Sequence, residues 1–396
     1  MKIKSVAAIP LALLSSPLGF FYSLLFSDIK IVAFTTSLLV SLVAFSMQPY
    51  ETMDLTRYYR AYDVLKNISI DNLSDYFSFN LFIYYIIKFF ADAGVKKEFI
   101  PFTFTFFSYI LIFISFIKSV GTVRHGLFIK LLIVYLVLCT SLFFGSASGL
   151  RNGLSSSLAI FALVIATKKN AIANSYFLFI IACLIHPFAI LLILCFVFSR
   201  VVKSNHIYNA LLMAGLFLSF IDTSMYIQYM VEVMFPPTLS AYIITEFITS
   251  DVAGFAAEKT FINIVIFYSS IGIMLVSSIL LLAGMERKCG LTKFALILLS
   301  ISLTFYSYPI FFERYSNIVF ILVGIITAKN YSDGCGGYKD RRYSFVVAIF
   351  WLSLLLNSAF QFYRYRYIFL DDIYYLLKPT VVVFFDSVNI NNLRLL

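Results

Sequence analysis

The stretch Phe99-Ile-Pro-Phe-Thr-Phe-Thr-Phe-Phe-Ser-Tyr-Ile-Leu-Ile-Phe-Ile-Ser-Phe-Ile117 contains no charged residue. A helix crossing a bilayer needs about 20 mostly apolar residues at 1.5 Å rise each, against a hydrocarbon core about 30 Å thick. This segment meets that length. Strands of a membrane β-barrel would instead alternate apolar and polar residues over about ten positions, and the run is continuous. Comparable stretches lie near 5–26, 29–47, 127–145, 149–167, 207–225, 261–283, 292–311, 315–329 and 343–363, with a shorter amphipathic one over 79–93 that carries Lys88. The reading is an all-α, polytopic transmembrane helical bundle of about 11–14 membrane segments.

Composition agrees. Of 396 residues, 61% are hydrophobic and only 13% charged, and the mean hydropathy is +0.92. Such a chain cannot cover a soluble surface with polar groups, which excludes a soluble globular domain, a secreted disulfide scaffold and a disordered chain. The net charge of +10 reads first as topology, because Lys and Arg accumulate on cytoplasmic loops. No basic run with interleaved aromatics suggests nucleic acid. Cys139, Cys183, Cys195, Cys289 and Cys335 form no CxxC pair, so neither a zinc site nor a disulfide framework is expected.

The stretch 171–200 is too long for one ordinary span, and His186-Pro187 interrupts its middle. Proline lacks an N–H and disfavours helical geometry in the preceding residue. Two half-length pieces meeting near His186 are expected, as a hairpin or a re-entrant pair. Broken helices at membrane depth persist only where protein or a water-filled cavity covers the freed backbone, which makes the break a candidate site lining.

Charge then assigns sides. Lys118, Arg124 and Lys130, then Lys168 and Lys169, Arg200 and Lys203, Glu286 to Lys293, and Lys329 to Arg342 mark basic loops on one side. The intervening segments fall on the other side, including 145–151, the break at 186, the 226–260 loop and 309–316. The 226–260 loop carries Glu232, Glu246, Asp251 and Glu258 against Lys259. The first hundred residues admit two schemes. If 5–26, 29–47 and 79–93 all span, the polar 48–78 segment is cytoplasmic, and Met1-Lys2-Ile3-Lys4 favours this. If 79–93 lies at the outer interface, 48–98 is external. A cytoplasmic start then requires that the first stretch, broken by Pro10 and Pro17, does not fully cross. No internal repeat or linker appears, so one domain over 1–396 is expected.

Charged groups within a membrane are functional candidates, because each costs about 2.5–3.5 kcal/mol on insertion scales. Arg151 stands in Gly145-Ser-Ala-Ser-Gly149-Leu-Arg151-Asn152-Gly153-Leu-Ser-Ser-Ser157, at the external start of a span. Helix N-termini attract anions, and a guanidinium there suits a diphosphate or carboxylate. The competing reading is an arginine reaching lipid phosphates beside small packing residues. His186 reads as a general base or hydrogen-bond donor, or else as a group satisfying backbone atoms freed by Pro187. Glu313-Arg314-Tyr315 reads as a second external turn whose Arg314 adds a cation to the same pocket, or as an interfacial loop. Asp54-Leu-Thr-Arg57-Tyr58-Tyr59-Arg60-Ala-Tyr62-Asp63 combines acid, base and aromatic faces in the manner of a sugar-binding surface, or of an interfacial tyrosine belt. Arg364-Tyr-Arg366-Tyr reads as such a belt. No GxxxxGK[ST], GxGxxG or HExxH motif occurs, so no cofactor or metal is expected.

The order Asp54-x-x-Arg57-Tyr58-x-x-x-Tyr62, Arg151-Asn152-Gly-Leu, Leu184-Ile-His186-Pro-Phe-Ala and Arg314-Tyr315 resembles the EpsG/Wzy-type polysaccharide polymerases over about residues 45–330. The resemblance implies a GT-C-like glycosyltransferase of the bacterial inner membrane, working at its periplasmic face. Its substrates would be undecaprenyl-diphosphate-linked oligosaccharides, and it admits a chain-length regulator as a protein partner. Arg151 and Arg314 would neutralise the diphosphate. His186 or Asp54 would take the acceptor proton, and Arg57, Tyr58, Tyr62 and Asn152 would hold substrate. It also implies that 48–98 and the 226–260 loop are periplasmic. A flippase for the same lipid-linked sugar is the rival from another class; a ligase or a sugar acyltransferase are enzyme rivals.

Overall fold

The computed structural model describes residues 6–49, 51, 53–73, 81–121, 126–140, 143–167, 171–221, 224–234, 236–237, 240, 261–283, 290–306, 308–332, 341–366 and 378–385. Arg124, Lys168, Lys169, Glu246, Asp251, Glu258, Lys259, Glu286, Lys288, Cys289, Cys335 and Lys339 lie outside these residues.

Within them the chain is helical, without strands. The helices are α1 (Ala8–Leu14), α2 (Ser16–Phe26), α3 (Ile29–Phe45), α4 (Asp54–Leu65), α5 (Leu81–Asp92), α6 (Phe99–Val120), α7 (Leu127–Thr140), α8 (Phe143–Ala147) and α9 (Leu150–Ile165). They continue with α10 (Ile172–Ile185), α11 (Ala189–Val201), α12 (Asn205–Leu218), α13 (Ser224–Met234), α14 (Phe261–Ala283), α15 (Gly290–Thr304), α16 (Pro309–Ser332), α17 (Arg341–Arg364) and α18 (Thr380–Phe385). Among the described residues, four segments are long and apolar enough to cross a membrane: Phe99–Val120, Phe261–Ala283, Phe311–Ser332 and Arg342–Arg364. Shorter apolar helices, among them α3, α7, α9, α10 and α15, accompany them. The polytopic helical bundle expected from the sequence is what folds.

Two compact units arise. The first comprises 1–193 and 365–396, the second 194–364. In the first, α3 packs on α6, α6 on α9, and α9 on α10. Small hydroxyl residues are buried on both helices, Thr35, Thr36, Ser37 and Ser41 on α3 and Thr105, Ser108 and Ser115 on α6, and Thr35 meets Ser23 of α2 at 2.7 Å. Several turn back onto their own helix, as Thr36 does to the Val32 carbonyl at 2.7 Å and Ser115 to Leu111 at 2.8 Å. Small side chains with internal partners let helices approach closely where apolar bulk would not. In the second unit, α12 packs on α15, α15 on α16, and α14 on α16 and α17.

Three elements differ from the sequence reading. The stretch 5–26 is not one helix. Ser15 is extended, Pro17 stands in the first turn of α2, and α1 folds back on α2. A Cβ on Gly19 would lie 2.4 Å from Ala12 Cα, so only glycine permits that approach. The loop read over 226–260 starts as helix, because 224–234 holds no Gly or Pro and Pro236-Pro237 follows. The turn expected at Glu313-Arg314-Tyr315 lies earlier, where the Tyr308 N–H bonds the Phe305 carbonyl at 2.9 Å. Pro309 opens α16, and Glu313 and Arg314 sit inside that helix, as proline at a first helical position favours.

Candidate functional site

The α4 helix starts the site. Its sequence places Asp54, Tyr58 and Tyr62 at helical spacing on one face, with Arg57 beside them. Arg57 Nη1 stands 3.7 Å from Asp54 Oδ1 in an exposed pair. Leu55, Tyr58, Tyr59 and Tyr62 are buried, and α4 packs on α5. Tyr62 does not present its hydroxyl to a ligand: it donates to the Val95 carbonyl and so fastens α4 to the segment after α5. Lys97 reinforces the junction, 3.3 Å from Asp63 and 5.3 Å above the Tyr59 ring. On α5, Lys88 is buried and pairs with Asp92 one turn on.

Arg151 comes from α9. Its Nε donates to the Tyr58 hydroxyl at 2.8 Å, joining residues 93 positions apart. Because the bond uses Nε, the two terminal guanidinium nitrogens remain available, with no partner among the described residues. Burial pushes the Tyr58 phenol up to about 12, although the Arg151 guanidinium opposes the shift; Asp54 and Tyr84 nearby raise it further. Tyr58 therefore keeps its proton at any physiological pH, accepting from Arg151 while retaining an O–H to donate. Asn152 Oδ1 is buried without a partner, as is the Tyr59 hydroxyl. Buried polar atoms without partners are uncommon, but Ser37 of α3 and Thr105 and Ser108 of α6 share the condition, so it does not by itself mark a ligand site.

The small residues around Arg151 serve close packing. A Cβ on Gly153 would meet Ser146 Cα at 2.5 Å and the Gly145 carbonyl at 3.0 Å, so α8 presses directly on α9. Ser157 bonds the Gly153 carbonyl at 2.7 Å. Ser155, one turn beyond Arg151, reaches across to the Ala182 carbonyl of α10 at 2.8 Å. That same carbonyl accepts the His186 N–H at 2.9 Å. The break at His186 is thus tied to the Arg151 helix through one shared acceptor.

The first unit therefore brings together Asp54, Tyr58 and Arg151, with Asn152 next to Arg151 in α9, and connects His186 to that helix through the Ala182 carbonyl and the Ser155 hydroxyl. Arg314 belongs to the second unit, where Glu313 lies within electrostatic reach of both Arg364 and Arg314. Sequence reasoning missed Tyr84, Ser155 and the Val95 carbonyl. Ser155 was marked by its spacing of four from Arg151; Tyr84 and Val95 carry no signal above the general abundance of aromatics. Among the described residues no group of three or more His, Cys, Asp or Glu could hold a metal ion.

The profile of the EpsG family matches residues 31–369. The chain belongs to the EpsG family. The match runs from α3 past the end of α17 and includes Asp54, Arg57, Tyr58, Tyr62, Arg151, Asn152, His186 and Arg314. EpsG is a Wzy-type polymerase-like family, so the chain is a polysaccharide-polymerase-like membrane protein. No curated protein and no solved structure matches it.

Proposed function

We propose that this EpsG-family protein is an O-antigen or exopolysaccharide polymerase with a GT-C-like plan. In this reading it joins undecaprenyl-diphosphate-linked oligosaccharide repeats at the periplasmic face of the bacterial inner membrane. The Arg151–Tyr58 hydrogen bond carries the reading. It aims a guanidinium, with its terminal nitrogens open, out of a small-residue helix start and beside the tyrosine-rich α4, whose two acids are matched by Arg57 and Arg60.

The chemistry follows from those groups. The acceptor sugar hydroxyl attacks the anomeric carbon of the growing chain, and the bond from that carbon to the lipid diphosphate breaks. Negative charge develops on the departing diphosphate, where Arg151 and the N-terminal turn of α9 stabilise it. Tyr58 holds the guanidinium in place. The acceptor proton passes to Asp54, which is half-exposed and near Tyr58. Arg57 and Asn152 offer hydrogen bonds to sugar hydroxyls, and Asn152 Oδ1 gains the partner it lacks. Tyr62 contributes by fixing α4. Phosphate recognition rests on Arg151 in the first unit; Arg314 of the second unit stands within electrostatic reach of Glu313, as does Arg364.

The first helices support an external 48–98 segment. At 1.5 Å per residue, α1 and α2, with 7 and 11 residues, reach only about 10 and 16 Å. A re-entrant hairpin of that depth returns the chain to the side of its basic start. Lys130, in the first turn of α7 and next to the basic segment assigned to the cytoplasm by its charge, donates to the Leu24 and Ser27 carbonyls at 3.2 and 2.7 Å. On that assignment α3 starts at the cytoplasmic level, and one crossing carries the chain outside before α4. The 226–260 segment is assigned to the same side, in step with the alternation of basic loops.

The test is a strain lacking the protein, its surface glycan resolved on a gel. The polymerase reading expects a single repeat on the acceptor in place of a ladder. Complete absence of repeats would identify a flippase, and an unchanged ladder would contradict the reading.

A further inference from the structure

His186 closes one helix and opens the next. Its backbone is extended, with φ −151° and ψ 123°, and its N–H ends α10 on the Ala182 carbonyl. Its own carbonyl accepts the Ala189 N–H at 3.1 Å, and the next two turn bonds, Ile190 to Pro187 and Leu191 to Phe188, start the following helix. Pro187 occupies the first position of that turn, where a missing N–H leaves nothing unsatisfied. The next N–H, from Phe188, donates to His186 Nδ1 at 3.3 Å. The Phe188 ring stands edge-on to the imidazole, 5.1 Å between centroids. A side-chain acceptor for the second N–H of a helix is the geometry of an N-cap.

The donor fixes the proton. An amide N–H can bond Nδ1 only if Nδ1 is bare, so a neutral imidazole carries its proton on Nε2. In that state neither ring nitrogen offers a lone pair to a sugar hydroxyl. The Ala182 carbonyl meanwhile takes both the His186 N–H and the Ser155 hydroxyl, which couples the bend to the helix that carries Arg151. We infer that His186 is a positioning residue, the N-cap that holds the broken-helix junction and, through Ala182 and Ser155, the register of α9 beneath Arg151. It is not the proton acceptor of the reaction. This rests on the polymerase reading and deepens it, since the acid–base role then falls to Asp54.

Asparagine can supply the same cap through its side-chain oxygen, but cannot serve as a base; alanine can do neither. The full-length protein carrying His186→Asn or His186→Ala is returned to the strain lacking it. Ladder formation and the amount of inserted protein are measured together. His186→Asn is expected to keep polymerisation within about twofold of the parent protein, and His186→Ala to lower it about fivefold or more, in line with the loss of a cap. An inserted but inactive His186→Asn overturns the inference, as does a fully active His186→Ala. If His186→Ala fails to insert, His186→Asn alone decides: an active protein supports the cap, and failure to insert or to polymerise refutes it. The strain lacking the protein reports separately on the polymerase reading, because a ladder there contradicts that reading whatever the variants do.

Discussion

Arg151 Nε donates to the Tyr58 hydroxyl at 2.8 Å. The bond joins the start of α9 to the middle of α4 and binds two motifs, 93 residues apart, into one place. A guanidinium held through Nε keeps its outer edge directed elsewhere, and here that edge has no described protein partner.

Removal of the guanidinium is expected to abolish most activity. Loss of a single preorganised donor at developing charge lowers rates by about 10²–10³-fold, and Arg151→Ala removes the donor and its charge together. Arg151→Lys should recover little, because an ammonium cannot bond Tyr58 and present a planar pair of N–H groups at once. Glycan ladders from complemented cells, normalised to inserted protein, give the comparison.

Tyr58→Phe keeps the ring and deletes the acceptor. A lost hydrogen bond to a charged group is worth about 1.5–3 kcal/mol, so roughly a tenfold or greater fall in polymerisation is expected at unchanged protein level. The variant also has a signature in pH. The Tyr58 phenol is raised from 10.0 to about 12 by burial, so the folded state favours its protonated form. Its contribution to stability is full below pH 10 and declines as pH rises from 10 towards 12. Thermal melts of purified protein over that range should fall less steeply for Tyr58→Phe than for the parent.

Gly153→Ala tests the close pass of α8 over α9. The new methyl would sit 2.5 Å from Ser146 Cα, and overpacking of this kind costs about 1–3 kcal/mol. A melting temperature lower by a few degrees is expected. Gly272→Ala, whose Cβ meets nothing within 4 Å, should leave the melt unchanged or raise it slightly.

The external placement of α4 has its own check. Lys66, just past the helix, is exposed, so Lys66→Cys should react with an impermeant thiol reagent in cells whose inner membrane is intact. Labelling only after lysis would contradict the external assignment and return the segment to the cytoplasm.

Much of this was legible in the chain itself. Hydropathy gave the bundle and Pro187 gave the break at His186, while the α4 helix that sets Asp54, Tyr58 and Tyr62 on one face emerged only from the structure. Other features were not. The hairpin of α1 on α2 depends on a glycine meeting an alanine, a contact that hydropathy does not encode. Glu313 and Arg314 looked like a turn because charge interrupts apolar runs there, yet Pro309 had already opened the helix. Tyr62 looked like a sugar platform, but its hydroxyl is committed to a backbone carbonyl that no side-chain pattern announces. The pairing of Arg151 with Tyr58 is tertiary, and one tyrosine among 27 does not advertise its partner.

The most direct measurement uses purified protein in liposomes supplied with undecaprenyl-diphosphate-linked repeats, with products resolved by length. The polymerase reading predicts lipid-linked chains of two or more repeats from the parent protein and none, or about a hundredfold fewer, from Arg151→Ala. Equal elongation by Arg151→Ala, or no elongation by an intact parent protein, would contradict it.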